Sequence, residues 1–459
     1  MSYLDSLDRF FLATETQRSP WHGMGCEIFE LPRGLKDGFV AGLVQELRSQ
    51  EPVFPFDSAV GGTRIRPEWK RVDVDMTFHV RHQVLPSPGG DDVLMEALGN
   101  HYASLLDRNA PLWECCVYEG LSDNRFAIAC KVHHAMIDGQ GALKVILNAL
   151  NLRKGDRRAR APWADNSDNT VVTTSGSRQP RDRPGGVVNR LLSQAQAAPR
   201  HLLQLLQSGS LGDLRLFRAP RTPLNHPQES SARRFGFCDL SLPDLKALAR
   251  REGATVNDIL LYCVDAAVQR NFRDRKFTLH EPLICGMPLS TRSENSGEGG
   301  NQAVLMAVTL GAAGDTPLAR LRQIQASARQ AKNNVKTLPN GLAAGYTALV
   351  LATPLLLSRV PGLAEALPIV NLGISNISPP RGSNYLGKSL YRKGAELQGL
   401  YILPNLPPAV LLVVTITGFG ERLCLGIGST PDAIEDPMKL GLYIVEAVKQ
   451  LAKIPAEES

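Results

Sequence analysis

A break in patterning splits this 459-residue chain. From Arg153 to Arg190 nine basic and four acidic residues lie among Ser, Thr, Asn, Pro and Gly with almost no periodic apolar face, the composition of a mobile linker. The blocks on either side each mix helical and strand-like patterns. The expected organisation is therefore an N-terminal lobe over residues 1–152, a basic linker with a helical patch (Leu191 to Leu206) over 153–232, and a C-terminal lobe over 233–459. Strands interleaved with helices imply α/β layers.

In the first block, Phe39, Val40, Leu43, Val44 and Leu47 recur at three- and four-residue spacing and predict a helix over Lys36 to Ser49. The pattern repeats over Val93 to Leu106 and Ala142 to Leu152, and Arg125 to Val132 is an apolar run bounded by polar turns, as in a strand. Beyond the break, Phe235 to Leu240 reads as a strand and Pro243 to Arg251 as a helix. Thr255 to Gln269 reads as a longer buried helix capped by Thr255. Leu283 to Leu289, Ala303 to Leu310, Ile369 to Ile377 and Ala409 to Phe419 are strand-like, and Pro437 to Leu451 is a closing helix.

Composition removes several classes. Hydrophobic residues at 43% and charged residues at 21% are ordinary for a folded globular chain. The net charge of +6 does not call for nucleic acid, and no aromatic interleaving of the basic runs offers base stacking. Eight cysteines, at 26, 115, 116, 130, 238, 263, 285 and 424, lack the spacing of a disulfide framework or a CxxC zinc site and read as packed thiols. Met1 to Pro20 carries Asp5, Asp8 and Glu15 where an export signal needs an uncharged core. Leu342 to Leu357 is too short for the roughly 20 residues of a membrane-spanning helix and reads as a buried or surface-lying one.

The chemistry concentrates in Phe126 to Gly141, FAIACKVHHAMIDGQG, an apolar strand ending in His133, His134, Asp138 and Gly139. Adjacent side chains at a strand end point to opposite sides, so the two histidines do not share one ligand. No HExxH is present, and no metal site is expected. A single imidazole with a working pKa near 6.5 at a cleft wall suits general-base catalysis, with its neighbour structural. Packing or turn formation is the plainer alternative for the pair.

HHAMIDG fits the HHxxxDG signature of CoA-dependent acyltransferases at every fixed position. More closely, the chain resembles the bacterial wax ester synthase/diacylglycerol acyltransferase family. That resemblance rests on an ordered set: LDRFFLATET, FHVRHQVLPSPG at 78–89, LLDRNAPLWE at 105–114, TVNDILL at 255–261, MPLSTR at 287–292, the GN of GGNQ at 299–302 and ISNISPP at 374–380. After Ser375-Asn376 the family usually shows Val-Pro-Gly-Pro, whereas this chain has Ile377, Ser378, Pro379 and Pro380.

The resemblance implies a two-lobe, chloramphenicol-acetyltransferase-like α/β fold of mixed sheets and helices, with an active-site channel between the lobes. It implies transfer of a long-chain acyl group from acyl-CoA, a substrate and not a cofactor, to a fatty alcohol or diacylglycerol. His134 would be the general base and His133 its support. Asp138 would organise the loop through a charge pair, for which Arg292 is the expected partner, and Gly139 would permit a tight turn. Asn257 and Asp258 either shape the site or cap a helix. Pro111, Leu112 and Trp113 would line the acyl channel or pack, and Ser375 and Asn376 would donate to the oxyanion or form a strand-end turn. The expected location is cytoplasmic, with peripheral contact to the inner membrane or lipid droplets, and no nucleic-acid partner.

Two further signals have plain readings. Gly382 to Ser389, GSNYLGKS, matches GxxxxGK[ST], but Pro379 and Pro380 precede it and Gly394 and Gly399 interrupt the stretch beyond it, so no phosphate-loop helix is expected. Arg153, Lys154, Arg157, Arg158, Arg160, Arg181 and Arg183 either hold the chain on anionic lipid or form a solvated linker.

Overall fold

The computed structural model describes residues 2–4, 6–32, 34, 38–63, 67–169, 219–226, 230–290, 303–336, 360, 362–377, 385 and 387–455. Its strands in chain order are β1 (Ser2–Tyr3), β2 (His22–Glu30), β3 (Ser58–Gly62), β4 (Pro67–Arg71), β5 (Val80–Gly89), β6 (Trp113–Leu121), β7 (Arg125–His133), β8 (Arg234–Ser241), β9 (Ile284–Ser290), β10 (Ala303–Thr309), β11 (Leu372–Ile377), β12 (Tyr391–Arg392), β13 (Ala395–Leu403), β14 (Leu412–Phe419) and β15 (Arg422–Ser429). They form a first sheet ordered β12-β13-β2-β7-β6-β5, a second ordered β10-β9-β11-β14-β15-β8, and a small β1-β4-β3 sheet. Both large sheets are mixed: β5 runs parallel to β6, and β11 parallel to β9 and β14.

Strand β7 is central because Phe126 to Ala129 are buried on both faces, which an apolar run without alternation allows. Phe29 of β2 stacks on Phe126 at 5.2 Å, and Leu43 and Leu47 of the helix Phe39–Arg48 complete that core. In the second lobe the helix Val256–Asp274 starts in a capping box, with Thr255 accepting from the Asp258 amide and Asp258 accepting from the Thr255 amide. The expected cap is therefore present.

Two boundaries differ from the sequence expectation. The segment 391–403 belongs to the first sheet, where β13 pairs with β2 although the chain has already built most of the second lobe. A fully buried ion pair fastens it there, with Arg392 Nη2 donating to Glu27 Oε1 at 2.8 Å. Where β13 crosses β15, a Cβ on Gly426 would lie 2.3 Å from the Ile402 carbonyl oxygen, so only glycine admits the approach. The second difference is the basic stretch. Within its opening a short segment is packed: Ala159, Arg160, Ala161 and Trp163 are buried, and Arg160 holds Asp168 at 2.5 Å, while Arg153, Lys154, Arg157 and Arg158 are exposed. Composition gave the wrong answer there because Trp163 stacks on Trp113 at 4.8 Å, and one aromatic ring buried against another outweighs the solvation of its polar neighbours.

Among the described residues no helix is long and apolar enough to cross a membrane, and the Leu342 to Leu357 and Leu191 to Leu206 segments lie outside them. All eight cysteines are buried and unpaired in disulfides. After Lys388 and Ser389 the chain enters β12 and β13, not the helix a phosphate loop requires.

Candidate active site

His133 is the last residue of β7, opposite His22 of β2. Its amide donates to the Leu112 carbonyl at 3.0 Å, and the Ala135 amide donates to its Nδ1 at 3.0 Å. Its Nε2 lies 3.3 Å from Oε1 of Glu15, a close contact without hydrogen-bond alignment. The side chain is fully buried. His134, one residue on, lies in the turn just past the strand. Its amide donates to the Trp21 carbonyl at 2.8 Å, the Phe11 ring is 5.8 Å away, and part of its surface remains open to solvent. Gly23 contributes no side chain beside Nε2; a Cβ there would stand 3.9 Å from it.

The surroundings keep His134 a neutral base. Dense packing and then the neighbouring His133 push its pKa down to about 4, while a side-chain hydrogen bond with Asn405 and the charge of Asp138 pull the other way. Both opposing groups favour the imidazolium that a base becomes after taking a proton. Burial disfavours ionisation of Glu15, but His133, the Trp21 amide and Arg108 outweigh it and hold the carboxyl down at about 2. His22 is pushed down to about 3 by burial and by Lys131.

The loop after the histidines is shaped by a cap. Asp138 Oδ1 accepts from the Gly141 amide at 2.7 Å and starts the helix Gly139–Asn148. Its expected partner Arg292 lies outside the described residues. Gly139 does not need to be glycine for the reason expected: it is the first helical residue, has no left-handed φ, and a Cβ would only touch Ile377 Cδ1 at 3.7 Å. The constrained position is Gly141, where a Cβ would lie 2.7 Å from Ile137 Cγ1 and 3.0 Å from Asp138 Oδ1.

That contact with Ile377 sets the end of β11 beside the start of the motif helix. Ser375 is partly open and Asn376 exposed. Asn376 Nδ2 donates to Asn257 Oδ1 at 3.0 Å, which brings two of the expected residues together. Asp258 is occupied by its capping box.

Pro111, Leu112 and Trp113, expected to line the acyl channel or to pack, are all buried. The Trp113 ring is enclosed by Trp163, His79 at 4.5 Å and Phe56 at 5.7 Å, and its Nε1 donates to the Phe56 carbonyl. Within this segment the Leu112 carbonyl receives the His133 amide. Glu15, Trp21 and Asn405 were missed by the sequence reading. Glu15 had a signal, a carboxylate in an apolar N-terminal segment, whereas the other two had none.

Two mixed sheets joined by a crossing strand, with paired histidines at the end of a central strand, define a two-lobe acyltransferase of the HHxxxDG type. The sequence profile of the wax ester synthase/diacylglycerol acyltransferase catalytic domain matches residues 4–260, and that of the WS/DGAT C-terminal domain matches residues 299–452. The chain belongs to this family of O-acyltransferases. It is 31% identical to the protein named "Probable diacyglycerol O-acyltransferase Tgs4" of Mycobacterium tuberculosis (strain ATCC 25618 / H37Rv), covering 98% of this chain and 96% of the relative. It is 28% identical to "O-acyltransferase WSD" of Acinetobacter baylyi, covering 100% and 98%. The solved wax ester synthase/diacylglycerol acyltransferase from Marinobacter aquaeolei VT8 superposes with a TM-score of 0.74 at 25% identity, covering 98% of both chains.

Proposed function

We propose that this chain moves a long-chain fatty acyl group from acyl-CoA to a fatty alcohol, giving a wax ester, or to diacylglycerol, giving triacylglycerol. The observation that carries the reading is the His134 imidazole: reachable from solvent, fixed by its backbone, and unprotonated at neutral pH. The acceptor hydroxyl oxygen attacks the thioester carbonyl carbon while His134 takes its proton. The tetrahedral intermediate then collapses with cleavage of the carbon–sulfur bond, and His134 returns the proton to the departing CoA sulfur. Ester and free CoA leave, with no covalent acyl-enzyme.

A thioester is already activated, so a base worth about 10²–10⁴-fold together with substrate alignment and oxyanion donors supplies the catalysis. Ser375 and Asn376, at the end of β11, are our candidates for those donors. The helix Gly139–Asn148 lies against β11, and we place a channel at this junction of the lobes, with CoA entering at one mouth and the acceptor at the other. Both acceptors are lipids, and peripheral attachment to the inner membrane or lipid droplets from the cytoplasmic side follows from their chemistry.

The test is CoA release from palmitoyl-CoA with hexadecanol and dioleoylglycerol in parallel, with products separated by thin-layer chromatography. Acceptor-dependent thiol release with the matching ester is expected. Thiol release that does not depend on either acceptor would refute the assignment.

A further inference from the structure

We propose that Glu15 is a positioning residue for the histidine pair, fixing the His133 ring in its Nε2-protonated tautomer and, through Trp21, the backbone of His134. The inference rests on His134 being the base. A neutral imidazole has one donor and one acceptor nitrogen. Because the Ala135 amide donates to Nδ1 of His133, that nitrogen carries no hydrogen and the proton sits on Nε2, which faces Glu15 Oε1 at 3.3 Å. The two side chains are 0% and 2% exposed, so water does not substitute for either partner.

The same carboxylate reaches His134 by a second route. Oε1 accepts from the Trp21 amide at 3.1 Å, and the Trp21 carbonyl accepts from the His134 amide at 2.8 Å. Oε2 accepts from Arg108 Nη2 at 3.1 Å, and that nitrogen also donates to the Leu12 carbonyl at 2.7 Å, tying down the end of the helix Ser6–Thr14. One ionised carboxylate thus connects the N-terminal helix, β2 and the end of β7.

The experiment uses the full chain and the variants Glu15→Gln, Glu15→Asp and His134→Ala, with steady-state kinetics on palmitoyl-CoA and hexadecanol. The histidine ring nitrogens are read by ¹⁵N NMR, with the His133 signals assigned through His133→Gln. In the unaltered protein His133 is expected to show an unprotonated Nδ1 and a protonated Nε2. In Glu15→Gln that tautomer signature should be lost or mixed, kcat should fall by up to about 10²-fold, and KM for palmitoyl-CoA should stay within about 3-fold. Glu15→Asp, which retains the charge but shortens the reach, should recover part of kcat.

A protonated Nδ1 on His133 in the unaltered protein overturns the proposal even if the variants do not fold. So does a folded Glu15→Gln with unchanged kcat, or one whose His133 signals are unaltered. Failure of the underlying reading looks different: His134→Ala would retain turnover while the tautomer of His133 still responded to Glu15→Gln.

Discussion

Exchanging each of the two glycines of the DGQG turn for alanine should give opposite results. At Gly141 the added methyl meets Ile137 Cγ1 at 2.7 Å and Asp138 Oδ1 at 3.0 Å, and the latter is the oxygen that caps the helix through the Gly141 amide. Displacing it costs about 1 kcal/mol of capping, and crowding Ile137, itself buried, costs about 1–3 kcal/mol more. The better helix propensity of alanine returns about 1 kcal/mol, so Gly141→Ala should destabilise by about 1–3 kcal/mol. Gly139→Ala places its methyl in ordinary contact with Ile377 on an unstrained backbone and should stabilise by about 0.4–1 kcal/mol through the unfolded chain. Urea midpoints at unchanged m report the difference. A larger loss at Gly139 than at Gly141 would refute the reasoning.

The buried charges set two other outcomes. His22 and His134 have folded pKa values of about 3 and about 4, below the ordinary 6.5, so their contribution is fully present above pH 6.5 and is lost as pH falls toward the folded values. Between pH 7 and pH 5 each should remove about 2 kcal/mol, visible as a falling urea midpoint; a flat profile over that range contradicts the assignment. Arg392→Met leaves Glu27 buried without its partner and should cost about 3–5 kcal/mol, most of which Glu27→Leu in the same chain should restore. Equal stability of single and double variants would contradict that pairing.

Legibility in the sequence tracks the range of the interactions. The helices Phe39–Arg48, Leu242–Arg251, Val256–Asp274 and Pro437–Lys453 were legible because their apolar stripes and the Thr255 cap are local. Strand β7 was legible for the same reason. Strand β13 was not, because its place beside β2 depends on residues hundreds of positions away in the case of Arg392 reaching Glu27, and on Gly426 admitting the Ile402 carbonyl. The opening of the basic stretch was misread because its packing rests on Trp163 against Trp113 and on hydrogen bonds from the Ala159 amide to Glu46 and from the Ala161 amide to Gln50, none of which a local pattern shows.

At the site, the histidine pair and Asp138 could be read as a motif, while the groups that hold them could not. Glu15 meets His133 only after the chain has folded, and Asn405 reaches His134 from the loop after β13. The motif's own glycine illustrates the limit of matching letters: the pattern names Gly139, but sterics single out Gly141, which the pattern leaves unspecified.

The decisive measurement is CoA release by His134→Ala beside the unaltered protein, at pH 7 with palmitoyl-CoA and whichever acceptor the latter uses, with circular dichroism confirming that the variant is folded. Loss of about 10²–10⁴-fold in turnover is predicted for removal of the base. A folded variant that turns over at the original rate would contradict the account.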